Sequence, residues 1–172
     1  DKTGTVTTGQ MTLLHVHTDA STSDREVLAL AGALEDASEH PIATAIAGAA
    51  RTELGTLAEV EEFTNIEGMG VQGTVEGHAV LVGRDSLLAD WGLSLDDPDL
   101  TAAHESAEAA GQTAVMVAWD GQVRAVLVVA DAIKPTSAAA VARLKAMGLT
   151  PVLLTGDNQK AAEHVAREVG IS

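Results

Sequence analysis

The stretch Thr113-Ala-Val-Met-Val-Ala-Trp119, Asp120-Gly121, Gln122-Val-Arg-Ala-Val-Leu-Val-Val129 places two apolar runs on either side of a two-residue turn. Asp-Gly suits a type I′ turn, in which both central residues have positive φ and the flanking strands keep their natural twist. This is the strongest short-range hairpin signal in the chain, and it predicts two strands that pair antiparallel.

Weaker strand and helix signals lie on the N-terminal side of this hairpin. Glu76-Gly77 is a turn signal between the short β-type runs Gly70–Val75 and His78–Val82. Residues 11–17 have the pattern of a short strand, and residues 85–111 are mostly helical in pattern. The middle of the chain is therefore predicted to be an α+β domain, an antiparallel sheet flanked by helices.

Two helices are predicted between the first strand and the turn at Glu76-Gly77. The first begins at Asp24, which can serve as its N-cap, and it carries apolar residues on one face. The second runs over residues 41–54, because proline suits a first helical position. The tetrapeptide Ser38-Glu39-His40-Pro41 separates the two helices, so they meet at His40.

The C-terminal residues have a different pattern, in which strand and helix alternate. Pro135 opens a predicted helix that reaches Met147. An apolar run over residues 151–154 predicts a buried strand, and a helix over residues 159–169 follows it. Such a succession is typical of a parallel α/β layer.

This change of pattern divides the chain into an α+β domain over residues 9–130 and two flanking pieces, residues 1–8 and 131–172, of the α/β layer. In open α/β sheets, ligands bind beyond the carboxyl ends of the strands. Thr155-Gly156-Asp157 follows the predicted strand directly, and it is therefore a candidate part of a binding site.

The composition excludes several classes of protein. The chain has no cysteine, which excludes a disulfide framework, a thiolate metal site and a cysteine nucleophile. It carries 10 Lys+Arg against 25 Asp+Glu, and the resulting net charge of −15 excludes nucleic acid as a favourable partner. No apolar run approaches the roughly 20 residues of a membrane-spanning helix. Because the first residue is Asp rather than Met, we expect a soluble segment of a longer protein.

The stretch Asp1-Lys2-Thr3-Gly4-Thr5 combines a carboxylate with hydroxyl and amide donors. An aspartate can accept a phosphoryl group where hydroxyls, backbone N–H groups and a cation surround the phosphoryl oxygens. Thr155-Gly156-Asp157 supplies a second polar segment of this kind. Taken alone, Asp1–Thr5 has the alternative interpretation of a solvated turn, but the two segments together favour phosphoryl transfer.

These residues resemble the P-type ATPases, which are phosphorylated on the aspartate of a D-K-T-G-T motif. That motif is present unchanged at residues 1–5, and Asp131-Ala-Ile-Lys-Pro135 and Thr155-Gly156-Asp157 match two further motifs in the right order. The resemblance implies a haloacid-dehalogenase-like, Rossmannoid phosphorylation domain, incomplete in these residues, into which the nucleotide-binding domain of residues 9–130 is inserted.

The resemblance also implies the roles of individual residues. Asp1 would attack the γ-phosphate of Mg·ATP, and Asp1 and Thr3 would hold the Mg²⁺ ion. Neighbouring cationic, hydroxyl and carboxylate groups would balance charge on the phosphoryl oxygens and order the metal site. The catalytic residues implied in this way are Asp1, Lys2, Thr3, Thr155, Gly156 and Asp157.

Two further motifs, Ser38-Glu39-His40-Pro41 and Gly68-Met69-Gly70, resemble the nucleotide-binding domain of the heavy-metal-transporting P-type ATPases. The resemblance implies that Glu35 and His40 contact the adenine end of ATP and that the two glycines let the backbone approach the nucleotide. On that basis, Gly70→Val should weaken nucleotide binding without unfolding the domain. The S-E-H-P motif favours copper over zinc or cadmium as the transported ion.

Four alternatives account for parts of the pattern. Gly68–Gly73 matches a dinucleotide fingerprint, but strand-like residues follow it rather than a helix. His15 and His17 share one face of a strand, but no third ligand has a suitable spacing for a metal site. A stand-alone haloacid-dehalogenase-type phosphatase would need a general acid at position 3, where Thr3 has no useful pKa. A binding module without catalysis would leave the intact D-K-T-G-T motif unexplained.

For the intact protein, the resemblance implies a pump whose transmembrane domain, actuator domain and transported metal lie elsewhere, with this part on the cytoplasmic side of a membrane. The family's downstream G-D-G-x-N-D segment, whose Asp completes the Mg²⁺ site, is not among these residues. We therefore expect the 172 residues to bind ATP or ADP with a Kd of roughly 0.1–1 mM. We expect them to form no phosphoenzyme by themselves.

Overall fold

A computed structural model describes residues 1–172 and contains six strands and six helices. The strands are β1 Thr7–Thr18, β2 Val60–Ile66, β3 Gly70–Val75, β4 His78–Gly83, β5 Thr113–Trp119 and β6 Gln122–Ile133. The helices are α1 Asp24–Glu35, α2 Pro41–Leu54, α3 Asp85–Asp90, α4 Pro98–Ala109, α5 Ser137–Ala146 and α6 Gln159–Val169. None of these helices has the length and apolar character needed to cross a membrane.

All six strands form one antiparallel sheet with the order β1-β6-β5-β4-β3-β2. The central hairpin is confirmed, with Trp119 opposite Gln122 and with φ angles of 54° at Asp120 and 77° at Gly121. The second hairpin, at Glu76-Gly77, is confirmed as well. Both turns therefore have the positive φ angles that their Gly-containing sequences predict.

β1 and β6 pair with each other, and both strands are longer than the sequence predicted. Their pairing runs from Thr7 opposite Ile133 to Thr18 opposite Ala125, with two register shifts. β6 thus continues to Ile133, past Val129, the last residue of the predicted strand. The sequence signal stops early because a charged residue interrupts the apolar run, whereas pairing with β1 continues through the backbone.

The sheet has an apolar cluster on each face. Val115 and Val117 of β5 belong to the cluster covered by α1 and α2. Met116 and Ala118, which alternate with them, belong to the cluster covered by α3 and α4. Central strands with apolar residues on both faces need a helical layer on each side.

The helical pair α1 and α2 lies where the sequence predicted it. Ser23 rather than Asp24 is the N-cap of α1, and its hydroxyl accepts a hydrogen bond from the Glu26 amide at 3.2 Å. The predicted cap was wrong by one position, because Asp24 is already the first helical residue. α2 begins at Pro41, and His40 is its N-cap.

β2 forms one edge of the sheet and is irregular. Its register with β3 shifts between Glu61 and Thr64, and Glu62 within this interval has a φ of 54°. Glu61 and Glu62 are both exposed. The edge strand is therefore bulged and carries two charged side chains.

The C-terminal residues form two helices and no strand. α5 and α6 enclose a small apolar cluster of Val141, Val169 and Ile171. α5 begins at Ser137, two residues later than predicted, because Lys134, Pro135 and Thr136 turn the chain before the helix starts.

The strand predicted over residues 151–154 is wrong. These residues have no regular secondary structure, and Val152 and Leu154 are 78% and 76% exposed. A parallel strand needs a neighbouring strand for its backbone hydrogen bonds, and none of the six strands pairs with this segment. The apolar run satisfies the compositional requirement for a buried strand but not the pairing requirement.

Candidate nucleotide and phosphoryl-transfer site

The four residues implied in nucleotide binding line one cavity of about 140 Å³. Glu35 is the last residue of α1, and His40 precedes α2. Gly68 lies in the turn that joins β2 to β3, and Gly70 is the first residue of β3. Because α1 packs against β3 and β4, these positions from distant parts of the sequence surround the same space.

Glu35 is the buried charged group of this cavity. Only 5% of its surface is exposed, and burial raises the pKa of its carboxyl group to about 7. Burial is the cause of the shift. None of the four ion pairs in the structure includes the Glu35 carboxylate. An unpartnered buried carboxyl is unfavourable, and a ligand with polar ring atoms would provide the missing hydrogen bonds.

His40 is held in one orientation by its position at the start of α2. Its Nδ1 atom accepts a hydrogen bond from the Ile42 amide at 3.2 Å. An accepting Nδ1 assigns the neutral tautomer with its proton on Nε2. His40 is exposed, so this Nε2–H group is a donor available to a ligand at the cavity.

Gly68 and Gly70 have different structural roles. A Cβ atom on Gly68, which has a φ of 75°, would meet no atom within 4 Å. A Cβ atom on Gly70, which has a φ of 146°, would lie 2.3 Å from the Val82 carbonyl oxygen and 2.6 Å from the Gly83 Cα atom. Gly70 is therefore needed for the close approach of β3 and β4, which the sequence did not reveal.

Arg84 also lines the cavity, and the sequence analysis did not single it out. β3 and β4 pair with Gly70 opposite Gly83, so the residue after Gly83 lies beside the turn that contains Met69. The Arg84 amide donates a hydrogen bond to the Met69 carbonyl at 2.9 Å. The predicted hairpin at Glu76-Gly77 could have identified Arg84, because the register of that hairpin fixes which residue lies beside the turn before β3.

The loop that carries Asp1 is held by the chain that follows β6. Lys134 Nζ donates a hydrogen bond to the Gly4 carbonyl at 2.9 Å, and the Ser137 hydroxyl donates one to the Val6 carbonyl at 2.7 Å. Asp1 itself is exposed. The D-K-T-G-T segment and the segment around the D-x-x-K-P motif thus form one unit.

Asp131 fixes the place where the chain leaves this loop and enters β1. Its carboxylate accepts hydrogen bonds from the Thr7 hydroxyl at 2.6 Å, the Thr8 hydroxyl at 3.3 Å and the Gly9 amide at 2.9 Å. The Asp131 side chain therefore joins the end of β6 to the start of β1, the two places where the chain passes between the sheet and the flanking segments.

Lys2 and Asp157 bring the D-K-T-G-T and T-G-D motifs together. The Lys2 ammonium group, whose side chain is only 7% exposed, forms an ion pair with the Asp157 carboxylate. The Asp157 amide donates a hydrogen bond to the Thr155 hydroxyl at 3.1 Å, which shapes the turn at Gly156. The two motifs, which are 150 residues apart in sequence, meet as their order in the chain predicted.

The residues implied for Mg²⁺ do not by themselves form a metal site. The Asp1 carboxylate accepts a hydrogen bond from the Thr5 hydroxyl at 2.9 Å, and Thr3 is exposed. No group of three or more His, Asp or Glu side chains in the chain is arranged to hold a metal ion. Asp1 and Thr3 provide fewer ligands than the oxygen-rich shell that Mg²⁺ requires.

A family model described as haloacid dehalogenase-like hydrolase matches residues 1–172. The chain belongs to this family. The predicted fold class, an antiparallel sheet flanked by helices together with a haloacid-dehalogenase-like part, is confirmed.

Its curated relatives are cation-transporting P-type ATPases, which confirms the resemblance inferred from the motifs. The chain is 45% identical over 175 residues to the cation-transporting P-type ATPase B of Mycobacterium bovis, covering 99% of this chain and 23% of that protein. It is also 45% identical over 171 residues to a copper-exporting P-type ATPase of Mycobacterium tuberculosis, covering 99% and 22%. The chain thus spans about a fifth of the length of these relatives.

The fold agrees with a solved P-type ATPase as well. A crystal structure of a zinc-transporting PIB-type ATPase in the E2·Pi state superposes with a TM-score of 0.88 and 32% identity, covering 99% of this chain and 27% of that one. The chain therefore matches a part of the P-type ATPases, and the alternative of a stand-alone phosphatase is not supported.

Proposed function

We propose that this chain is the ATP-binding and phosphoryl-accepting part of a heavy-metal P-type ATPase that lies on the cytoplasmic side of a membrane. In this proposal residues 9–130 bind ATP, and residues 1–8 and 131–172 belong to the phosphorylation domain. The rest of the polypeptide provides the transmembrane and actuator domains. The transported ion is bound in that remainder.

The observation that carries the proposal is the cavity that joins Glu35, His40, Gly68 and Gly70. Its buried carboxyl has no partner in the free chain, and the imidazole presents an N–H donor beside it. Adenine offers a ring-nitrogen acceptor and an exocyclic amine donor on one edge. A protonated Glu35 can donate to the first and accept from the second.

The phosphoryl-transfer step is assigned to Asp1. Its carboxylate oxygen attacks the terminal phosphorus of ATP, the bond from that phosphorus to the bridging oxygen breaks, and ADP leaves with the electron pair. The ion pair between Lys2 and Asp157 holds the two motif segments at this position. Thr3 in place of a carboxylic acid provides no proton for rapid hydrolysis of the aspartyl phosphate.

Copper is the proposed cargo, and zinc is the second candidate. Copper is favoured by the S-E-H-P motif and by the similarity to a copper-exporting P-type ATPase that is 45% identical. Zinc is favoured by the solved structure with a TM-score of 0.88, which is a zinc transporter. Metal-stimulated ATP hydrolysis by the full-length protein, measured with Cu⁺ and with Zn²⁺, distinguishes the two.

Replacing His40 with asparagine tests nucleotide binding. His40→Asn keeps a side-chain acceptor for the start of α2 but removes the Nε2–H donor, so ATP affinity should fall by about three- to tenfold without loss of fold. Isothermal titration calorimetry with ATP measures the effect. His15→Asn is the matched control, because His15 lies on β1 outside the cavity. Equal losses in the two variants would contradict the assignment of His40.

Replacing Asp1 with asparagine tests phosphoryl transfer in the full-length protein. Asp1→Asn removes the nucleophile, so the acid-stable and hydroxylamine-sensitive label that radiolabelled ATP leaves on the protein should disappear. Asp24→Asn, which changes an exposed aspartate at the start of α1, should keep the label. Retention of the label in Asp1→Asn would show that another residue accepts the phosphoryl group.

A further inference from the structure

The turn after α4 contacts the first turn of α6 through a glycine. Gly111 has a φ of 69°, and a Cβ atom placed on it would lie 2.3 Å from the Ala161 nitrogen, 2.5 Å from the Ala161 Cα atom and 2.8 Å from the Ala161 Cβ atom. The two nearest of these atoms belong to the backbone of α6. Only a glycine therefore lets the backbone of this turn lie directly against α6.

This contact crosses a cleft between the sheet and α6. Two cavities adjoin it, one of about 360 Å³ that β1, β6 and α6 line, and one of about 660 Å³ that lies over the turn and the start of α6. Gly111 belongs to the lining of both cavities. Among the helices and strands, α6 packs mainly against α5. The position of α6 relative to the sheet thus depends on few contacts, and Gly111 makes one of them.

Ala161 takes part in the N-terminal cap of α6. Its amide donates a hydrogen bond to the Asn158 side-chain oxygen at 2.9 Å. Asn158 is the N-cap of α6, and it follows Asp157, whose carboxylate forms the ion pair with Lys2. A Cβ atom at position 111 would meet the nitrogen of this capping hydrogen bond. A displacement of Ala161 would therefore reach the T-G-D segment through the cap.

We propose that Gly111 is a positioning residue for phosphoryl transfer, because it keeps the T-G-D segment in place relative to the sheet that carries the nucleotide cavity. This inference rests on the proposed function. Two backbone atoms that a Cβ atom would meet at 2.3 Å and 2.5 Å must move by about 1 Å to reach van der Waals contact at about 3.5 Å. Phosphoryl transfer depends on alignment, and a misplacement of about 1 Å can lower a rate by about a hundredfold.

Phosphoenzyme formation by the full-length protein, followed in a single turnover at saturating radiolabelled ATP, tests the proposal. Gly111→Asn adds the Cβ atom and keeps a residue that tolerates positive φ, so the phosphorylation rate should fall by about 10- to 100-fold. The ATP affinity of the chain, measured by calorimetry, should stay unchanged, because Gly111 does not line the nucleotide cavity. A general loss of folding would instead lower binding and phosphorylation together.

Gly92→Asn is the matched control. Gly92 follows the C-cap of α3 as Gly111 follows the C-cap of α4, and it has a φ of 68°. A Cβ atom on Gly92 would meet no atom within 4 Å, so this variant should keep the wild-type phosphorylation rate. Amide NMR spectra of the chain should show shifted resonances over residues 157–161 in Gly111→Asn and none there in Gly92→Asn.

Three results would overturn the role of Gly111 while leaving the proposed function in place. These are equal phosphorylation rates in Gly111→Asn and Gly92→Asn, unchanged resonances of α6 in Gly111→Asn, and a loss of ATP affinity in Gly111→Asn as large as its loss of phosphorylation. If the wild-type protein formed no phosphoenzyme, the proposed function would be wrong as well.

Discussion

Gly70→Val is expected to remove a large part of the stability of the chain. A valine Cβ atom would lie 2.3 Å from the Val82 carbonyl oxygen, and the residue would have to keep a φ of 146°. The neighbouring atoms belong to the backbone of β4, so relief requires the two strands to separate. Overpacking of this kind costs about 1–3 kcal/mol, and the positive φ adds about 1–2 kcal/mol. The sum of about 2–5 kcal/mol is large beside a typical total of 5–15 kcal/mol.

Urea unfolding followed by tryptophan fluorescence measures this loss. Trp91 is a suitable reporter, because its indole N–H donates a hydrogen bond to Gln72 of β3 at 2.8 Å. Gly68→Ala is the control at the same turn, since its Cβ atom meets open space and only the positive φ opposes it. An unfolding midpoint for Gly70→Val equal to that of Gly68→Ala would contradict the close approach of β3 and β4.

This prediction replaces the expectation that Gly70→Val would weaken nucleotide binding in a folded domain. The sequence shows two glycines two residues apart, and both are compatible with close approach to a ligand. Only the register of β3 against β4 reveals that the space above Gly70 is filled by the protein itself. Gly68→Ala is therefore the appropriate test of the glycine turn in nucleotide binding.

Glu35→Gln is expected to stabilise the chain at alkaline pH and to have little effect near pH 4.5. Burial raises the pKa of Glu35 from 4.5 to about 7, so between these values the folded chain keeps a proton that the unfolded chain has released. The free energy of unfolding of wild type therefore falls as the pH rises from about 4.5 to about 7, and it stays lower above pH 7. Glutamine is neutral throughout and does not contribute to this fall.

A shift of this size corresponds to roughly 3 kcal/mol between the two pH limits. The measurement is the difference in unfolding free energy between Glu35→Gln and wild type at pH 5, 6, 7 and 8, because that difference cancels the titration of the other carboxylates. Glu53→Gln, at an exposed position of α2, should give a difference that does not depend on pH. A flat difference for Glu35→Gln would show that the carboxyl group is solvated.

The sequence predicted the elements whose signals are local. The Asp120-Gly121 and Glu76-Gly77 turns each fix a hairpin through positive φ, and Pro41 fixes the start of α2. These signals act within a few residues and need no knowledge of the rest of the chain. They are sufficient for the two hairpins of the sheet and for the position of His40.

The errors arose where a feature depends on a partner that is distant in sequence. Residues 151–154 have the composition of a buried strand, but composition does not state whether a neighbouring strand is present. The burial of Glu35 and the ion pair between Lys2 and Asp157 likewise depend on packing between remote segments. The family motifs identified the residues at these places, but not which side chains would meet.

The bulge and the two exposed glutamates on β2 also affect how copies of the chain behave toward one another. An open sheet edge can pair with the edge of another molecule and begin aggregation. At β2 the positive φ of Glu62 breaks the row of backbone groups, and two carboxylates repel an approaching copy. The second of these two features, the repulsion between carboxylates, is electrostatic. Near the isoelectric point of about 4.5 the chain as a whole has no net charge, so repulsion between copies is weakest there and the irregular backbone still opposes self-association.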